Sequence, residues 1–262
     1  MNITVSIIIA ILLAAISIYK KALTISASLL AGIIIIVIGI CGNYKDVLFL
    51  TISYLILVAI DMVANKLSEQ VVNDIHKKHG ARTVIQVLAN GGAATAAIIA
   101  YKLFDNIFFL FVYEFCVIEA CADSIASDIG VLSKHEPISI VTFKKVPTGM
   151  SGGVSFLGLI SSLIGCIFMA VLASFSSGIT IKNIVLLTFI PYFGVIIDSI
   201  LGACIQVKYK CSICGKLTER VEHCSKATTY IGGIKFIDNS AVNFITNIIT
   251  GIIGYILILL FY

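Results

Sequence analysis

Long apolar runs separated by short polar segments make up most of the chain. A helix that crosses a membrane needs roughly 17 to 25 mostly apolar residues. Eight runs match or approach this length: residues 3–19, 22–40, 47–64, 84–101, 107–122, 153–173, 184–205 and 242–262. They are continuously apolar, whereas the strands of a membrane barrel alternate, and backbone groups in hydrocarbon must bond within their own segment. The pattern predicts an all-α polytopic membrane protein, a bundle of about eight transmembrane helices.

The composition indicates that lipid is the main solvent of this chain. Of its 262 residues, 59% are hydrophobic and only 12% are charged, and the mean hydropathy is +1.08. Because a soluble protein carries about 25% charged residues, these values exclude a soluble globular domain. We expect a single integral membrane domain over residues 1–262. The first run lacks a basic segment before it and a cleavage site after it, so it is interpreted as a retained helix.

The lysines and arginines are distributed unevenly among the loops. The even-numbered loops hold only Lys45, Lys102 and Lys182, and the other 15 of the 18 basic residues lie in the odd-numbered loops. By the positive-inside rule, the odd loops are cytoplasmic and both termini lie outside the cell membrane. Membrane insertion and anionic lipid headgroups account for the net charge of +4. We therefore expect membrane lipids as partners and no nucleic acid.

The polar stretch between the fifth and sixth runs, residues 122–158, carries the residue types of a phosphate site. Its acidic, basic and small residues are Asp123, Asp128, Lys134, Lys144, Lys145, Ser151, Gly152 and Gly153. Carboxylate oxygens are ligands that Mg²⁺ prefers, and backbone N–H groups at a helix N-terminus bind anions. The stretch predicts a magnesium–phosphate site at the cytoplasmic face. The alternative is a polar connector that only joins two helices.

Other polar residues mark the cytoplasmic ends of neighbouring runs. Arg82, Gln86 and Asn90 recur every four residues, and this spacing puts them on one face of a helix. Because an amide that faces lipid is left without a partner, this face is predicted to line a cavity inside the bundle. Asp198, with Gln206, and Asn243 are expected to join it. Asp238 or Asn239 is suited to cap the last helix.

The last cytoplasmic loop, residues 207–239, contains a Cys/His pattern. Its members are Cys211, Cys214, His223 and Cys224. A CxxC pair followed by further Cys and His is typical of a structural zinc site, and a cytoplasmic location disfavours disulfides. The adjacent His223 and Cys224 argue against this interpretation, since neighbouring side chains usually diverge. Reduced free thiols are the alternative.

Taken in order, these motifs resemble one protein family. The motifs are R…QVLANGG, ADSIASDIG, PTGMSGGVS, DSILGACIQ, HC and DNSAVN. This order resembles the integral membrane family catalogued as domain of unknown function 92, which includes the phytyl-phosphate kinase of plant tocopherol synthesis. The family is in turn similar to polyprenol kinases and phosphatidate cytidylyltransferases, which share Asp-x-x-Ala-x-x-x-Gly followed by lysines and a glycine-rich turn. Asp123, Ala126 and Gly130 match that pattern, while Ser124 and Asp128 stand where Thr and Glu are usual.

The resemblance implies a CTP-dependent kinase that uses Mg²⁺ to phosphorylate an isoprenoid lipid monophosphate, of the phytyl or geranylgeranyl type, at the cytoplasmic face. Asp123, Asp128 and Asp198 would hold the magnesium. Lys144 and Lys145, with Lys134 as a weaker candidate, would neutralise the nucleotide phosphates. The remaining implied contacts to the nucleotide or the acceptor phosphate come from Arg82, Asn90, Ser151, Gly152, Gly153, Gln206, Asn239 and Asn243.

Several other functions fit the same residues. A lipid cytidylyltransferase would use the same nucleotide and metal but release pyrophosphate, and an isoprenoid alcohol kinase would differ only in its acceptor. A secondary transporter also places acidic residues among helices. In this chain, however, the polar motifs crowd at the cytoplasmic ends of the runs and the outer loops are short. A non-catalytic scaffold would not require the combination of acids, lysines and glycines.

Overall fold

A computed structural model describes residues 3–71 and 80–262 of the chain, with the side chains of residues 68–71 left out. The helices within this part are α1 (Ile3–Tyr19), α2 (Ile25–Cys41), α3 (Tyr44–Val71), α4 (Val84–Phe104), α5 (Ile107–Gly130), α6 (Phe156–Ser177), α7 (Ile181–Cys204) and α8 (Asn239–Phe261). Each helix matches one apolar run, which confirms the predicted helical bundle. His76 and His79 lie outside the described residues.

The helices differ in how well they suit a membrane. By length and composition, α3, α4, α6, α7 and α8 are each able to cross one. Helices α1 and α2 have 17 residues each, close to the lower limit for a span. Helix α5 has 24 residues but carries four acidic ones: Glu114, Glu119, Asp123 and Asp128. The orientation of the termini stays a prediction.

Short strands occupy the two loops in which the sequence places its main motifs. They are β1 (Ile138–Ser139), β2 (Gly153–Val154), β3 (Lys208–Lys210), β4 (Leu217–Thr218), β5 (Glu222–His223), β6 (Lys226–Ala227) and β7 (Thr229–Gly232). Strand β1 pairs with β2, β3 pairs with β4 and β7, and β5 pairs with β6, all antiparallel. The fifth and seventh loops therefore have defined structures of their own.

Helix α5 is the centre of the bundle. It begins where the side chain of Asn106 accepts a hydrogen bond from the backbone N–H of Phe108 at 2.9 Å, a typical N-cap contact. Beyond this cap it packs against α3, α4, α6, α7 and α8. Its aromatic side chains Tyr113 and Phe115 are fully buried. Helices α1 and α2 pack on each other, and α2 joins them to α3 and α4.

Glycines allow α7 and α8 to approach α5 closely. A Cβ atom added to Gly254 would lie 2.3 Å from Cδ2 of Phe115, and one added to Gly194 would lie 2.7 Å from Cγ of Glu119. Both distances are well below van der Waals contact, so these helices need glycine at these positions. Gly91 on α4 differs, since its added Cβ would meet the nearest atom, Cδ1 of Ile34, at an ordinary 3.5 Å.

We expect Gly254→Ala to lower the free energy of unfolding in detergent by about 1–3 kcal/mol, because the methyl group overpacks the contact with Phe115. Gly91→Ala is the matched control and should be neutral or stabilise by up to about 1 kcal/mol, since alanine favours the helix. Thermal or denaturant unfolding of both variants measures the difference. Equal stability of the two would contradict the close packing of α8 on α5.

Candidate functional site

The three aspartates predicted to bind metal lie together at one end of α5 and α7. Asp123 is near enough to Asp198 and to Asp128 for their charges to act on it. The side chain of Asp198 is buried, with 9% of its residue surface exposed. One oxygen of Asp128 and one of Asp198, Oδ2 in both, are buried without a close hydrogen-bond partner among the described residues, and the hydroxyl of Thr246 lies near Asp198. The site therefore offers buried carboxylate oxygens as candidate metal ligands.

Arg82 supplies a positive charge to this group. Its charge acts through space on both Asp123 and Asp128, although no ion pair within 4 Å joins Arg82 to them among the described residues. The backbone holds it in place, because the N–H of Arg82 donates to the carbonyl of Ala22 at 2.9 Å and its carbonyl accepts from the N–H of Thr24 at 3.0 Å. These contacts join the start of α4 to the turn between α1 and α2, so the position of Arg82 is fixed by two parts of the chain.

Arg82, the first residue of the predicted polar stripe, lies outside helix α4. Helix α4 begins at Val84, with Thr83 as its N-cap, so Arg82 precedes the helix and is not part of a helical face. The side chain of Gln86 accepts a hydrogen bond from the N–H of Thr83 at 2.8 Å, which completes a capping box. Gln86 thus has a structural role that the four-residue spacing did not indicate.

Arg82, Gln86 and Asn90 nevertheless line one cavity. It has a volume of about 140 Å³ and lies among α1, α2, α3, α4 and α5. Its other walls are mostly apolar and include Leu13, Ile34, Ile35, Ile38, Leu50, Leu57, Val87 and Val117. Arg82 therefore lines the apolar cavity and also acts by its charge on the aspartates.

Helix α8 contributes a row of amides to the same region. The side chain of Asn243 donates to Oδ1 of Asn90 at 3.3 Å, which brings together two residues that the sequence assigned to the cavity. One turn further, Nδ2 of Asn247 donates to Oε2 of Glu119 at 2.7 Å and to the carbonyl of Cys116 at 2.8 Å. Asn247 and Glu119 are both buried. This contact satisfies an acid that would otherwise lie unpaired inside the bundle.

Asn247, Glu119 and Asp61 were not among the predicted ligands. The carboxylate of Asp61, on α3, accepts from Asn65 at 3.0 Å, and its negative charge acts on Asp128. An acid within an apolar run is visible in the sequence, but its proximity to an acid on another helix is not.

The glycine-rich turn is placed differently from its prediction. Helix α6 begins at Phe156, where Ser155 Oγ accepts from the N–H of Gly158 at 3.1 Å. Ser151, Gly152 and Gly153 therefore precede the helix instead of forming its N-terminus, and Gly153 lies in β2. Gly152 has a φ of +77°, and a Cβ atom there would lie 2.5 Å from the backbone nitrogen of Ala203. The turn packs directly on the end of α7.

An acid from the seventh loop occupies this turn. The backbone N–H of Ser151 donates to Oε1 of Glu219 at 2.7 Å, and Ser151 Oγ donates to Oδ1 of Asn239 at 3.4 Å. Asp238 caps α8 by accepting from the N–H of Ala241 at 2.9 Å, which leaves Asn239 for this contact. The predicted anion-binding amide of Ser151 thus binds a carboxylate, supplied by the chain itself.

Glu219 also links this turn to the aspartates. It interacts with the charge of Asp198, and Gln206 and Lys208 lie beside it. Burial raises the pKa of its carboxyl, and the hydrogen bond from Ser151 opposes that rise. Sequence reasoning missed Glu219, since a single acid in a polar loop carries no pattern.

The three predicted lysines lie at the surface of the fifth loop. Lys134, Lys144 and Lys145 are all exposed. Nζ of Lys145 is 3.1 Å from Oε2 of Glu136, but this pair is worth only about 0–1 kcal/mol because both side chains are largely solvated. Arg82, and not these lysines, is the cation whose charge acts on Asp123 and Asp128.

Two groups of residues have the chemistry to hold a metal. The ligand atoms of Cys211, Cys214, His223 and Cys224 lie within 4.8 Å of one another. Among the described residues, no set of three carboxylates is gathered so closely. The wider spacing of the aspartates is compatible with Mg²⁺, which is held by one or two carboxylates together with waters and substrate phosphates.

The comparison with known proteins identifies the family. The pattern that defines the integral membrane protein family DUF92 matches residues 8–251. The chain belongs to this family. It is 28% identical to Protein PGR of Arabidopsis thaliana, over 94% of this chain and 92% of that protein. It is also 29% identical to an uncharacterized membrane protein of Methanocaldococcus jannaschii, over 58% of this chain and 60% of that one. No solved structure matches the chain.

We expect Asn247→Leu to lower the free energy of unfolding by about 1–3 kcal/mol, because it leaves the buried carboxylate of Glu119 without its donor. Adding Glu119→Leu should recover part of this loss, since replacing both partners by apolar groups removes the unsatisfied charge. A double-mutant cycle in detergent measures the coupling. Strictly additive effects would contradict the direct contact.

Proposed function

We propose that this protein is a membrane kinase that transfers the terminal phosphate of CTP, with Mg²⁺, to the monophosphate of an isoprenoid lipid of the phytyl or geranylgeranyl type. Its family includes the phytyl-phosphate kinase of plant tocopherol synthesis, which supports this class of reaction. The active site would face the cytoplasm. Phosphoryl transfer needs positioning and charge stabilisation more than covalent chemistry from the protein.

One observation carries the proposal: Arg82 lines an apolar cavity, and its charge also acts on a group of buried aspartates. The acceptor has the same two-part character, with an isoprenoid tail and an anionic head. The part of the tail next to the head would fill the cavity beside Ile34 and Leu57 and bring the phosphate to the guanidinium of Arg82, and the rest of the tail would extend between the helices. Arginine binds phosphate oxygens through charge-assisted, often bidentate hydrogen bonds. The phosphate would then lie next to Asp123 and Asp128.

The aspartates fit a magnesium ion. Asp128 and Asp198 each keep a buried oxygen without a close hydrogen-bond partner among the described residues, and the charges of both act on Asp123. When bound, Mg²⁺ would neutralise the nucleotide phosphates and the charge that develops during transfer. Without a cation, three carboxylates in one buried site would repel one another.

The glycine-rich turn suits the nucleotide phosphates. The N–H of Ser151 already binds a carboxylate oxygen of Glu219, so the turn accepts an anionic oxygen in its present conformation. Gly152 allows the turn to pack on α7, because any side chain there would meet Ala203. Asn239 and Gln206 lie beside this position, and the exposed Lys144 and Lys145 would neutralise the nucleotide phosphates.

The proposed reaction balances without a further reactant. An oxygen of the lipid monophosphate forms a bond to the γ-phosphorus of CTP. The bond from that phosphorus to the oxygen that bridges it to the β-phosphate breaks, and CDP leaves with the bridging oxygen. The products are a lipid diphosphate and CDP. A cytidylyltransferase would instead break the α–β linkage and release pyrophosphate, and an alcohol kinase would yield a lipid monophosphate.

A second candidate function, ion translocation, rests on the acids inside the bundle. Glu114 is fully buried on α5 and interacts with Asp46 at the start of α3. Glu114, Glu119 and Asp123 form a row of acids along α5. Structural contacts explain part of this row, since Asn247 satisfies Glu119. The two functions differ in whether Glu114 is required.

We expect Asp123→Asn to reduce kcat at least about a hundredfold, because bound metal supplies several kcal/mol of charge stabilisation. The assay combines detergent-purified protein, Mg²⁺, CTP labelled at its terminal phosphate, and isoprenoid alcohols and monophosphates. Label in an extractable lipid diphosphate is the expected result for the wild type. Glu114→Gln is the control, since it lies on the same helix about 13 Å along the axis from Asp123, and it should retain activity.

Other outcomes of this assay exclude the proposal. Label that appears only in pyrophosphate would identify a cytidylyltransferase. Full activity of Asp123→Asn would remove Asp123 from the metal site. If neither CTP nor lipid is consumed, and Glu114→Gln abolishes ion flux in proteoliposomes, the protein is a transporter.

Arg82→Gln should raise the KM for the lipid monophosphate roughly tenfold to a hundredfold, the value of one hydrogen bond to a charged group. Lys20→Gln is the control because Lys20 is exposed in the adjacent turn between α1 and α2. Steady-state kinetics with varied lipid concentration measures both. A KM unchanged by Arg82→Gln would show that the acceptor phosphate binds elsewhere.

A further inference from the structure

The seventh loop contains a metal site that the proposed reaction does not use. We propose that Cys211, Cys214, His223 and Cys224 bind one Zn²⁺ ion, and that this ion fixes the segment that carries Glu219 to the turn at Ser151. The inference concerns the folding of residues 207–239, so it stands independently of the kinase activity.

The first two ligands lie in a tight turn between β3 and β4. The N–H of Cys211 donates to the carbonyl of Lys216 at 2.9 Å, and the N–H of Gly215 donates to the carbonyl of Cys211 at 3.0 Å. The N–H of Ile213 points to the sulfur of Cys211 at 3.4 Å. A turn of this shape directs both sulfur atoms, Cys211 Sγ and Cys214 Sγ, to the same side.

The second pair of ligands lies in the hairpin of β5 and β6. His223 pairs with Lys226, and the two residues between them, Cys224 and Ser225, have φ values of +53° and +57°. Positive φ at both central positions is the geometry of a type I′ turn, which asparagine and glycine favour. Cysteine and serine have no such preference, so the turn is held in a conformation that its sequence does not favour.

This turn resolves the difficulty of two adjacent ligands. The left-handed conformation of Cys224 brings its Sγ to 3.2 Å from Nδ1 of His223, whereas neighbouring side chains on an extended strand diverge. Backbone conformations of this kind persist where the surroundings impose them, and they cluster at functional sites. Coordination of both side chains by one ion supplies such a constraint.

The distance between the ligand atoms of Cys214 and His223 matches tetrahedral zinc. With Zn–S near 2.3 Å and Zn–N near 2.0 Å, sulfur and nitrogen ligands of a tetrahedral ion lie about 3.6 Å apart. The Sγ of Cys214 is 3.5 Å from Nδ1 of His223. Three cysteines and one histidine are a usual ligand set for structural zinc. Without a bound metal ion, three thiols and one imidazole packed this closely would have no structural role.

A bound ion would also fix the position of Glu219. Glu219 follows β4 and precedes β5, so it lies five residues after Cys214 and four residues before His223. An ion bound to both flanks closes the loop that contains it. The carboxylate of Glu219 then reaches the N–H of Ser151 as part of a fixed unit, and without the ion this contact would depend on two short strands and a few hydrogen bonds.

The first test measures zinc in the full-length protein, purified in detergent without chelators. We expect about one zinc per chain in the wild type and in Cys204→Ser, because Cys204 is exposed at the end of α7 and outside the cluster. The double variant Cys211→Ser/Cys214→Ser should lose it. A wild-type protein without zinc after growth in zinc-supplemented medium would overturn the proposal.

A second test does not require the variants to fold. In the Cys204→Ser background, the exposed thiols of Cys214 and Cys224 should resist alkylation until a zinc chelator is added. Rapid alkylation of both thiols before chelation would contradict zinc coordination, whatever the metal analysis of the variants shows.

The third test addresses Glu219. A protease that cleaves after glutamate should cut within residues 207–239 only after chelation, while the exposed Glu136 should be cut at the same rate in both states. Equal cleavage of the segment with and without chelator would show that the ion does not fix Glu219.

Discussion

The carboxylates that α5 carries into the bundle constrain the elements packed around them. A charge inside a low-dielectric interior is costly unless a partner answers it, and two elements packed on α5 supply one. Helix α8 donates a hydrogen bond from Asn247 to Glu119, and the charge of Arg82, in the segment before α4, acts on Asp123 and Asp128. Helix α3 instead adds a further acid, Asp61, whose negative charge acts on Asp128. The glycines at which α7 and α8 touch α5 follow from the same need, because these partners reach the acids only when the helices are close.

Apolar run length allowed the helices to be predicted from the sequence, because hydrocarbon permits few alternatives to a helix. The need of amides inside the membrane for hydrogen-bond partners placed Asn90 and Asn243 in one interior region. The structure joins them by a hydrogen bond. The four-residue spacing of the polar residues misplaced Arg82. This spacing does not show that the helix begins only after Thr83, where Gln86 completes the cap. Sequence reasoning also placed the amides of residues 151–153 at the N-terminus of α6, but this helix begins at Phe156.

Glu219 could not have been predicted in this way. Its contact with Ser151 joins residues 68 positions apart, and it depends on how two small hairpins fold outside the membrane. No periodicity governs such a loop, and helix packing does not determine where it docks. The Cys/His cluster was visible in the sequence because its spacing is local. The proposed effect of a zinc ion bound there, the placement of Glu219, depends on contacts that form only in three dimensions.

The contact between Glu219 and Ser151 has a meaning for the proposed reaction. A phosphate oxygen and a carboxylate oxygen both accept from the same backbone N–H, and the amide of Ser151 can serve only one of them fully. A bound nucleotide must therefore displace Glu219 or place its phosphate beside it. Displacement would move the half-buried carboxylate of Glu219 away from Asp198 and so lower the negative charge of the proposed metal site as the nucleotide brings in its own. By this argument, the segment of residues 207–239 takes part in nucleotide binding through exchange of one anion for another.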